Sequence, residues 1–202
     1  MKSVLTAMWL VPAIAVPYAA AAPAASHPAQ AQMQQNIDTV LQIARDKSLG
    51  EQQKIRKIES YADRYLDYQR ISAMAVGAPW KQFSPQQKTE FIEAFKDMMI
   101  AMYSRSALMG AQDAKVSVLP KTVTPGSGKV DVFTELRTAS GKRYEVAYQL
   151  YQSGSVYKVY NIRVDGTSLV TVYRSQFGEL IKQKGVDGVI ATLKAKGLKK
   201  VH

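Results

Sequence analysis

The spacing of hydrophobic residues changes twice along this 202-residue chain, and these changes constrain its fold more than any other feature. From about residue 36 to Gly110 the apolar side chains recur every three or four positions, which is typical of amphipathic helices. From about residue 115 to 164 they alternate with polar ones, which indicates half-buried strands. After Asp165 and Gly166 the helical period returns and continues to about residue 197. This order predicts an α+β fold in which helices pack on the apolar face of a sheet.

The longest predicted helix has clear start and stop signals. Ser84 is a suitable N-cap, Pro85 suits the first turn, and Gln87 completes a capping box. Gly110 marks the end of this helix. Its apolar stripe is rich in methionine, which suits either an ordinary core or the compliant wall of a cavity, and composition leaves both open. Earlier helices are predicted from Ile37 to the turn at 48–50, over 51–68 and over 71–76.

Four candidate strands form the middle of the chain. The residues between the first two, 124–128, are predicted to form a turn or hairpin loop because they combine Pro, Gly and Ser. Links of this length predict an antiparallel sheet with one polar and one apolar face. The strands are predicted over residues 115–119, 130–138, 142–151 and 156–164.

The N-terminal residues have the layout of a cleaved secretory signal. Met1-Lys2 provides a short basic start, Val4 to Tyr18 is almost continuously apolar, and residues 19–23 are small and end in proline. The apolar run is too short and too interrupted to span a bilayer. We therefore predict a signal peptide over 1–22, followed by a disordered lead-in over 23–35 that is rich in Ala, Gln and Pro.

The composition excludes several kinds of site. The chain has no cysteine, and its two histidines, His27 and His202, lie near its ends. Thiol nucleophiles, a histidine-dependent triad and a multi-histidine zinc site are therefore not expected. With 27 Lys and Arg against 16 Asp and Glu, the net charge is +11, which suits an anionic partner. Export makes nucleic acid a poor partner and favours acidic proteins or lipid headgroups.

No catalytic motif stands out from the sequence. Asp63 and Asp67 are four residues apart on a predicted helix, but Arg64 and Arg70 lie among them, so we interpret them as a solvated ion-pair face. The chain contains no G-x-S-x-G motif and no phosphate-binding glycine loop. An enzyme stays open as an alternative, although no motif calls for one.

The stretch that is most distinctive of a protein family covers residues 156–177 and reads VYKVYNIRVDGTSLVTVYRSQF. Supporting residues upstream are Gly77 and Trp80, and then Phe91, Phe95 and Tyr103 on the long helix. From about residue 36 to 193 the chain resembles the MlaC family of periplasmic phospholipid-binding proteins, also called the toluene-tolerance family. The pattern of that family is roughly W-K-V-Y-D-V-x-V-x-G-x-S-L-V-x-x-Y-R-x-x-F.

Two positions depart from this pattern. Tyr157 stands where the family usually has Trp, and Asn161 where it usually has Asp. Both substitutes keep aromatic or polar character, so the implied fold is unchanged. A role of that acid in the family is not carried over to Asn161.

The resemblance implies one domain over 36–197 with an NTF2-like cone. The cone is a curved antiparallel sheet of about four strands packed with helices, and an N-terminal helical subdomain is added to it. The implied function is a non-catalytic periplasmic shuttle that carries glycerophospholipid between the inner and outer membranes and maintains outer-membrane lipid asymmetry. The alternative is an enzyme in the same cone that acts on an apolar substrate.

The partners implied by the resemblance are membrane components. They are phospholipid as cargo, an inner-membrane ABC transporter with an MCE-domain ring protein, and an outer-membrane lipoprotein–porin complex. No cofactor, metal or nucleic acid is implied, and the protein is expected to be a monomer. Lysines 182, 184, 194, 196, 199 and 200 suit either docking on such a partner or an ordinary solvated helix face, and both interpretations stay open.

The same resemblance implies an apolar cavity for the acyl tails between the sheet and the helices. A cavity for a two-chain lipid is expected to reach about 1,000 Å³ or more. Arg174 is a candidate for the mouth of the cavity or for a structural ion pair. The residues expected around the cavity are Trp80, Phe95, Met98, Met99, Met102, Tyr103, Tyr148, Leu150, Val159, Val164, Leu169, Val170, Tyr173 and Phe177.

Overall fold

A computed structural model describes residues 27–111 and 113–197. It has the predicted α+β class, with helices before and after an antiparallel sheet. No helix in these two ranges is both long and apolar enough to cross a membrane. The elements are α1 (Pro28–Arg45), α2 (Glu51–Ala62), α3 (Tyr68–Val76), a 3₁₀ turn (Ala78–Gln82), α4 (Pro85–Ala111), β1 (Lys115–Gly126), β2 (Lys129–Arg137), β3 (Arg143–Ser153), β4 (Val156–Val164), β5 (Thr167–Ser168) and α5 (Leu169–Gly197).

The sheet is a meander of antiparallel strands in the order β1-β2-β3-β4-β5. The four predicted strands are confirmed, and the two-residue β5 adds an edge beside β4. β1 is longer than predicted and runs through Gly126, with register shifts after Val118 and Val123. Only Ser127 and Gly128, both with positive φ, make the turn to β2. A two-residue turn of this kind matches the twist of a hairpin, so the strands stay paired up to it.

The first helix begins earlier than predicted. Pro28 opens α1 after an N-cap at His27, and Gln30 closes a capping box with His27. Ala29 and Met33 are buried against the sheet, and the Gln30 side chain donates a hydrogen bond to the carbonyl of Leu119 at 2.9 Å. The predicted disordered lead-in over 23–35 is therefore wrong from residue 28 onward, because the sheet orders a segment whose composition is typical of disorder. Residues 23–26 and the predicted signal peptide over 1–22 lie outside the described residues.

The helix predicted over 51–68 ends earlier than predicted, and the helix predicted over 71–76 begins earlier, at Tyr68. α2 ends at Ala62, and Asp67 caps α3 by accepting a hydrogen bond from the backbone N–H of Arg70. Between them the backbone of Asp67 and Tyr65 bonds to Val159 of β4. These backbone hydrogen bonds to the sheet replace helical hydrogen bonds and change the direction of the chain. The spacing of apolar residues in the sequence does not predict such a contact with a distant strand.

The hydrophobic core has separate parts. One cluster joins α3, α4 and α5 around Phe91, Phe95 and Phe177. A second joins α1 to the sheet through residues such as Ile37, Val132 and Leu150. A third, smaller cluster lies where α1 and α4 meet, at Ala44, Leu108 and Ala111. This division leaves α1, α2 and the sheet around a space that the helical cluster does not fill.

Candidate functional site

An apolar cleft of about 750 Å³, partly open to solvent, lies between α1, α2, the end of α4 and the sheet. It is smaller than the roughly 1,000 Å³ expected for a two-chain lipid, although within the usual range for ligand pockets. Most of its accessible wall is apolar. The lining residues are Met33, Asn36, Ile37, Val40, Leu41, Ala44, Ile58, Tyr61, Ala62, Tyr65, Leu66, Gly110, Ala111, Asp113, Ala114, Val116, Leu136, Thr138, Ala139, Ser140, Tyr148 and Val159.

The cleft exists because large side chains form its long walls and small ones meet at its end. α1 contributes an apolar stripe at helical spacing, which includes Ile37, Val40 and Leu41. Where α1, α4 and β1 come together, the lining residues are Gly110 and alanines. Side chains this short cannot fill the space between elements held apart by their larger neighbours.

The polar groups of the cleft are mainly neutral. The Tyr61 hydroxyl donates a hydrogen bond to Oδ1 of Asn36 at 3.0 Å, and the rings of Tyr61 and Tyr65 lie 5.1 Å apart. Burial raises the pKa of Tyr65, and it also raises the pKa of Tyr148. These hydroxyls therefore stay protonated at neutral pH and are poor general bases.

Charge is sparse in the cleft. Asp113 is exposed and is the acidic residue in the lining, and no lysine or arginine lines the cleft in the part of the chain that the structure describes. Within the same residues no cluster of His, Asp or Glu could hold a metal ion. The arrangement suits the binding of a large apolar molecule.

Two of the fourteen predicted cavity residues, Tyr148 and Val159, line the cleft. Leu150 is fully buried in the core cluster that lies beneath Val159 and does not reach the surface of the cleft. The remaining eleven predicted residues lie elsewhere.

Seven of those eleven belong to the sealed helical cluster. Phe95 is 0% exposed, with its ring 4.9 Å from Tyr173 and 5.1 Å from Phe177. These rings pack edge to face and leave no space for a ligand. These residues do not line the cleft, because the apolar faces of α3, α4 and α5 pack against one another. The seven are Trp80, Phe95, Met98, Met99, Val170, Tyr173 and Phe177.

The other four predicted residues lie toward the surface. Met102 is 53% exposed and Tyr103 is 43% exposed, and the Tyr103 hydroxyl is 2.9 Å from that of Tyr173. Val164 and Leu169 are half-buried where β4 ends and α5 begins. These positions do not line the cleft either, since α4 and α5 meet away from it.

Arg174 has a structural contact and lies outside the cleft. Its Nε donates a hydrogen bond to the carbonyl of Met74 at 2.9 Å, and its side chain lies against Gly77. Neither an ion pair nor a place at the mouth of the cleft is found for this exposed residue within the described parts of the chain.

Most of the cleft residues were not predicted from the sequence. The stripe on α1 and the residues Ile58, Tyr61 and Tyr65 lie on or just after helices that were predicted without a link to a cavity. The available signal was the small residues at the end of α4 and just after it, Gly110, Ala111 and Ala114. Their effect depends on which elements they meet in the folded structure, so the sequence alone does not show it.

The two aspartates considered for catalysis lie on either side of the break between α2 and α3. Asp63 pairs with Lys96 at 2.8 Å. Asp67 caps α3 and accepts a hydrogen bond from the Tyr151 hydroxyl at 2.6 Å. Each carboxylate has a structural partner, and neither lines the cleft.

Asn161 occupies a buried polar row on the face of the sheet near α5. Its Nδ2 donates to Oε1 of Gln149 at 2.8 Å, and its Oδ1 accepts from the Ser168 hydroxyl at 3.0 Å. Gln149 in turn donates to Asp131. An aspartate at position 161 has no N–H with which to make the bond to Gln149, so the amide suits this row. Tyr157 packs beside the cluster under α1, with its ring 5.6 Å from that of His27.

Comparisons with known proteins agree with this architecture. A model of the MlaC protein family matches residues 34–195, which is most of the chain. Toluene tolerance protein Ttg2D of Pseudomonas putida is 27% identical over 107 residues, which are 53% of this chain and 49% of that protein. The chain thus matches about half the length of this curated relative.

A solved structure has the same fold. It is described as a phospholipid-binding protein from Ralstonia solanacearum in complex with a phospholipid. It is 24% identical, with a TM-score of 0.74 over 85% of this chain and 97% of the other. From the extent of the family match, the chain belongs to the MlaC family.

Proposed function

We propose that this protein is a periplasmic carrier of glycerophospholipid that holds acyl tails in the cleft between α1, α2 and the sheet and catalyses no reaction. The observation that carries the proposal is the apolar cleft itself, which is about 750 Å³ in volume and has no lysine or arginine among its described lining residues. The described structural neighbour binds a phospholipid, which supports the same class of ligand.

The size of the hydrophobic effect explains why such a carrier is needed. Two acyl chains hold on the order of 30 methylenes, so their transfer to water costs roughly 25 kcal/mol at ~0.8 kcal/mol each. A lipid held this strongly does not leave into water at a useful rate. Loading and release therefore take place while the carrier is docked on a donor or an acceptor.

We infer that the route runs between the inner and outer membranes. The donors and acceptors are then an inner-membrane ABC transporter with an MCE-domain ring protein and an outer-membrane lipoprotein–porin complex. The family membership supports this assignment.

Lipid occupancy of the purified protein tests the proposal. The full chain, expressed with export to the periplasm, is analysed by native mass spectrometry and by lipid extraction. We expect phospholipid to copurify, and we expect its occupancy to fall in the variant Ala62→Trp, which places a large ring in the cleft. Ala191→Trp, on the exposed face of α5, is the matched control and keeps full occupancy. A wild-type protein that is empty, and stays empty after incubation with phospholipid vesicles, contradicts the proposal.

A further inference from the structure

A second depression lies directly beside the cleft, on the outer side of α1 and α2. This groove has a volume of about 590 Å³, and three of its lining residues are cationic: Arg56, Lys57 and Arg64. Lys57 and Arg64 are about two helical turns apart and so lie on one side of α2 and of the turn that follows it, with Arg56 next to Lys57. Its other lining residues are Thr39, Ile43, Leu49, Gln53, Ser60 and Tyr61.

These three cations are exposed, and none of them forms an ion pair with another described residue. Some exposed lysines elsewhere have ion-pair partners, such as Lys194 with Glu90 at 2.6 Å and Lys121 with Glu145 at 2.6 Å, whereas Lys81 and Lys184 form none within the described residues but do not line the groove. No carboxylate within the described ranges lies within 4 Å of the charged groups of Arg56, Lys57 or Arg64. Like charges gathered without a counter-charge repel one another, and a bound anion relieves that repulsion.

Asp46 is an acidic residue on which Lys57 acts electrostatically. Its two hydrogen bonds from Ser48 are the main reason that its pKa is lowered, and the Coulomb attraction of Lys57 and Lys54 adds less. Asp46 is not among the groove residues. It therefore leaves the cationic face of the groove available.

The groove and the cleft share a wall. Tyr61 lines both, whereas Tyr65 lines the cleft and Arg64 lines the groove. The Arg64 guanidinium lies 4.7 Å from the centre of the Tyr61 ring and 5.9 Å from that of Tyr65. The same pair of rings thus has apolar space on one side and a cation on the other, an amphipathic boundary that matches the junction of tail and headgroup in a phospholipid.

We propose that the groove between α1 and α2 binds the phosphate of the lipid whose acyl tails fill the cleft. The inference rests on the proposed function and adds the site that recognises the headgroup. A guanidinium offers a pair of parallel N–H donors that fit two phosphate oxygens, and lysine adds a point charge. Arg56, Lys57 and Arg64 supply these groups, and the exposed position makes the interaction sensitive to salt.

Lipids with and without a phosphate test the inference. The protein is stripped of lipid in dodecyl maltoside and back-loaded with dioleoylphosphatidylglycerol or with dioleoylglycerol, which has the same tails. Native mass spectrometry measures occupancy. Since charge-assisted hydrogen bonds at exposed sites are moderate in strength, the variant Arg56→Gln/Lys57→Gln/Arg64→Gln is expected to lose about tenfold or more in affinity for the phospholipid. Its affinity for dioleoylglycerol stays unchanged.

A control variant carries the same change of net charge away from the groove. Lys81→Gln/Lys182→Gln/Lys184→Gln alters three exposed lysines on the 3₁₀ turn and α5, which do not line the cleft or the groove. It is expected to keep wild-type affinity for both lipids. Raising the salt concentration is expected to reduce the difference in affinity between phosphatidylglycerol and dioleoylglycerol in the wild type and in this control, but not in the groove variant.

Other results separate the two proposals. A wild-type protein that binds neither lipid contradicts the proposed function itself. Equal affinity for both lipids in the wild type, or an equal loss of both in the groove variant, overturns the phosphate site and leaves lipid binding intact. If inorganic phosphate binds the groove while phosphatidylglycerol gains nothing over dioleoylglycerol, the groove is a site for free phosphate and the inference is wrong.

Discussion

A carboxylate placed in the wall of the cleft makes lipid binding depend on pH. Val40 of α1 is half-buried and lines the cleft, but it does not belong to any of the three core clusters. The variant Val40→Asp therefore leaves the empty protein folded, since water reaches the new side chain. When acyl tails cover the new carboxylate, it has no cationic partner, because no lysine or arginine is among the described residues that line the cleft.

The size of the effect follows from the pKa of aspartate. An ionised carboxylate under hydrocarbon takes up a proton, and at pH 7 this costs about 4 kcal/mol from an ordinary pKa of ~3.9 at ~1.36 kcal/mol per unit. The affinity of the variant for phospholipid is then lower by up to about 1,000-fold at pH 7. At pH 5 the cost is about 1.5 kcal/mol, or roughly tenfold.

The sign follows from linkage. The lipid-bound form holds a proton that the empty form releases, so binding strengthens as the pH falls from 7 toward 4. Back-loading with one phospholipid at several pH values, read by native mass spectrometry, measures the slope. Val40→Asn, which is similar in size and uncharged, is expected to show little slope. Gln42→Asp, on the exposed side of the same helix, is expected to bind like the wild type at every pH. A wild-type affinity of Val40→Asp for phospholipid at pH 7 would refute the assignment of the tails to this cleft.

The helical core and its connections support further predictions. Phe95→Ala removes a fully buried ring and is expected to lower the free energy of unfolding by about 3–5 kcal/mol in urea titrations. The protein that remains folded is expected to keep its lipid. A loss of lipid without a loss of stability would contradict the assignment of Phe95 to the helical core. Gly77→Ala is expected to cost about 1–3 kcal/mol, because φ is 73° there and the new Cβ lies 3.4 Å from the Arg174 side chain. Gly178→Ala, in a helical and uncrowded position of α5, is expected instead to stabilise by about 0.4–1 kcal/mol, and thermal unfolding followed by circular dichroism distinguishes the opposite signs.

Much of the fold could be predicted because each element carries its own local pattern. The capping box at Ser84 and Gln87 forms as predicted, with the Ser84 hydroxyl accepting from the backbone N–H of Gln87 at 3.1 Å. The alternation over residues 130–138 corresponds to β2, in which Val130, Val132 and Thr134 are buried. Such patterns depend on neighbours within a turn or a strand pair, so they can be found without the tertiary structure.

The predicted helix boundaries are wrong where contacts with distant segments determine the local conformation. Residues 28–35 form a helix because Gln32 exchanges two hydrogen bonds with the backbone of Tyr157, 125 positions away. The helix predicted over 51–68 ends at Ala62 because Tyr65 and Asp67 form backbone hydrogen bonds with Val159. No local composition or period contains these partners.

The sequence by itself determined the α+β order and the family, and its lack of cysteine, with both histidines near the ends, argued against several kinds of catalytic and metal site. The tertiary structure decided where the candidate site lies. A hydrophobic period shows that a face is buried, but not whether a protein side chain or a ligand covers it. The apolar faces of α4 and α5 that contain Phe95 and Phe177 cover each other, whereas the stripe of α1 that contains Val40 faces small residues that leave a cleft. Packing between elements far apart in the sequence makes that difference.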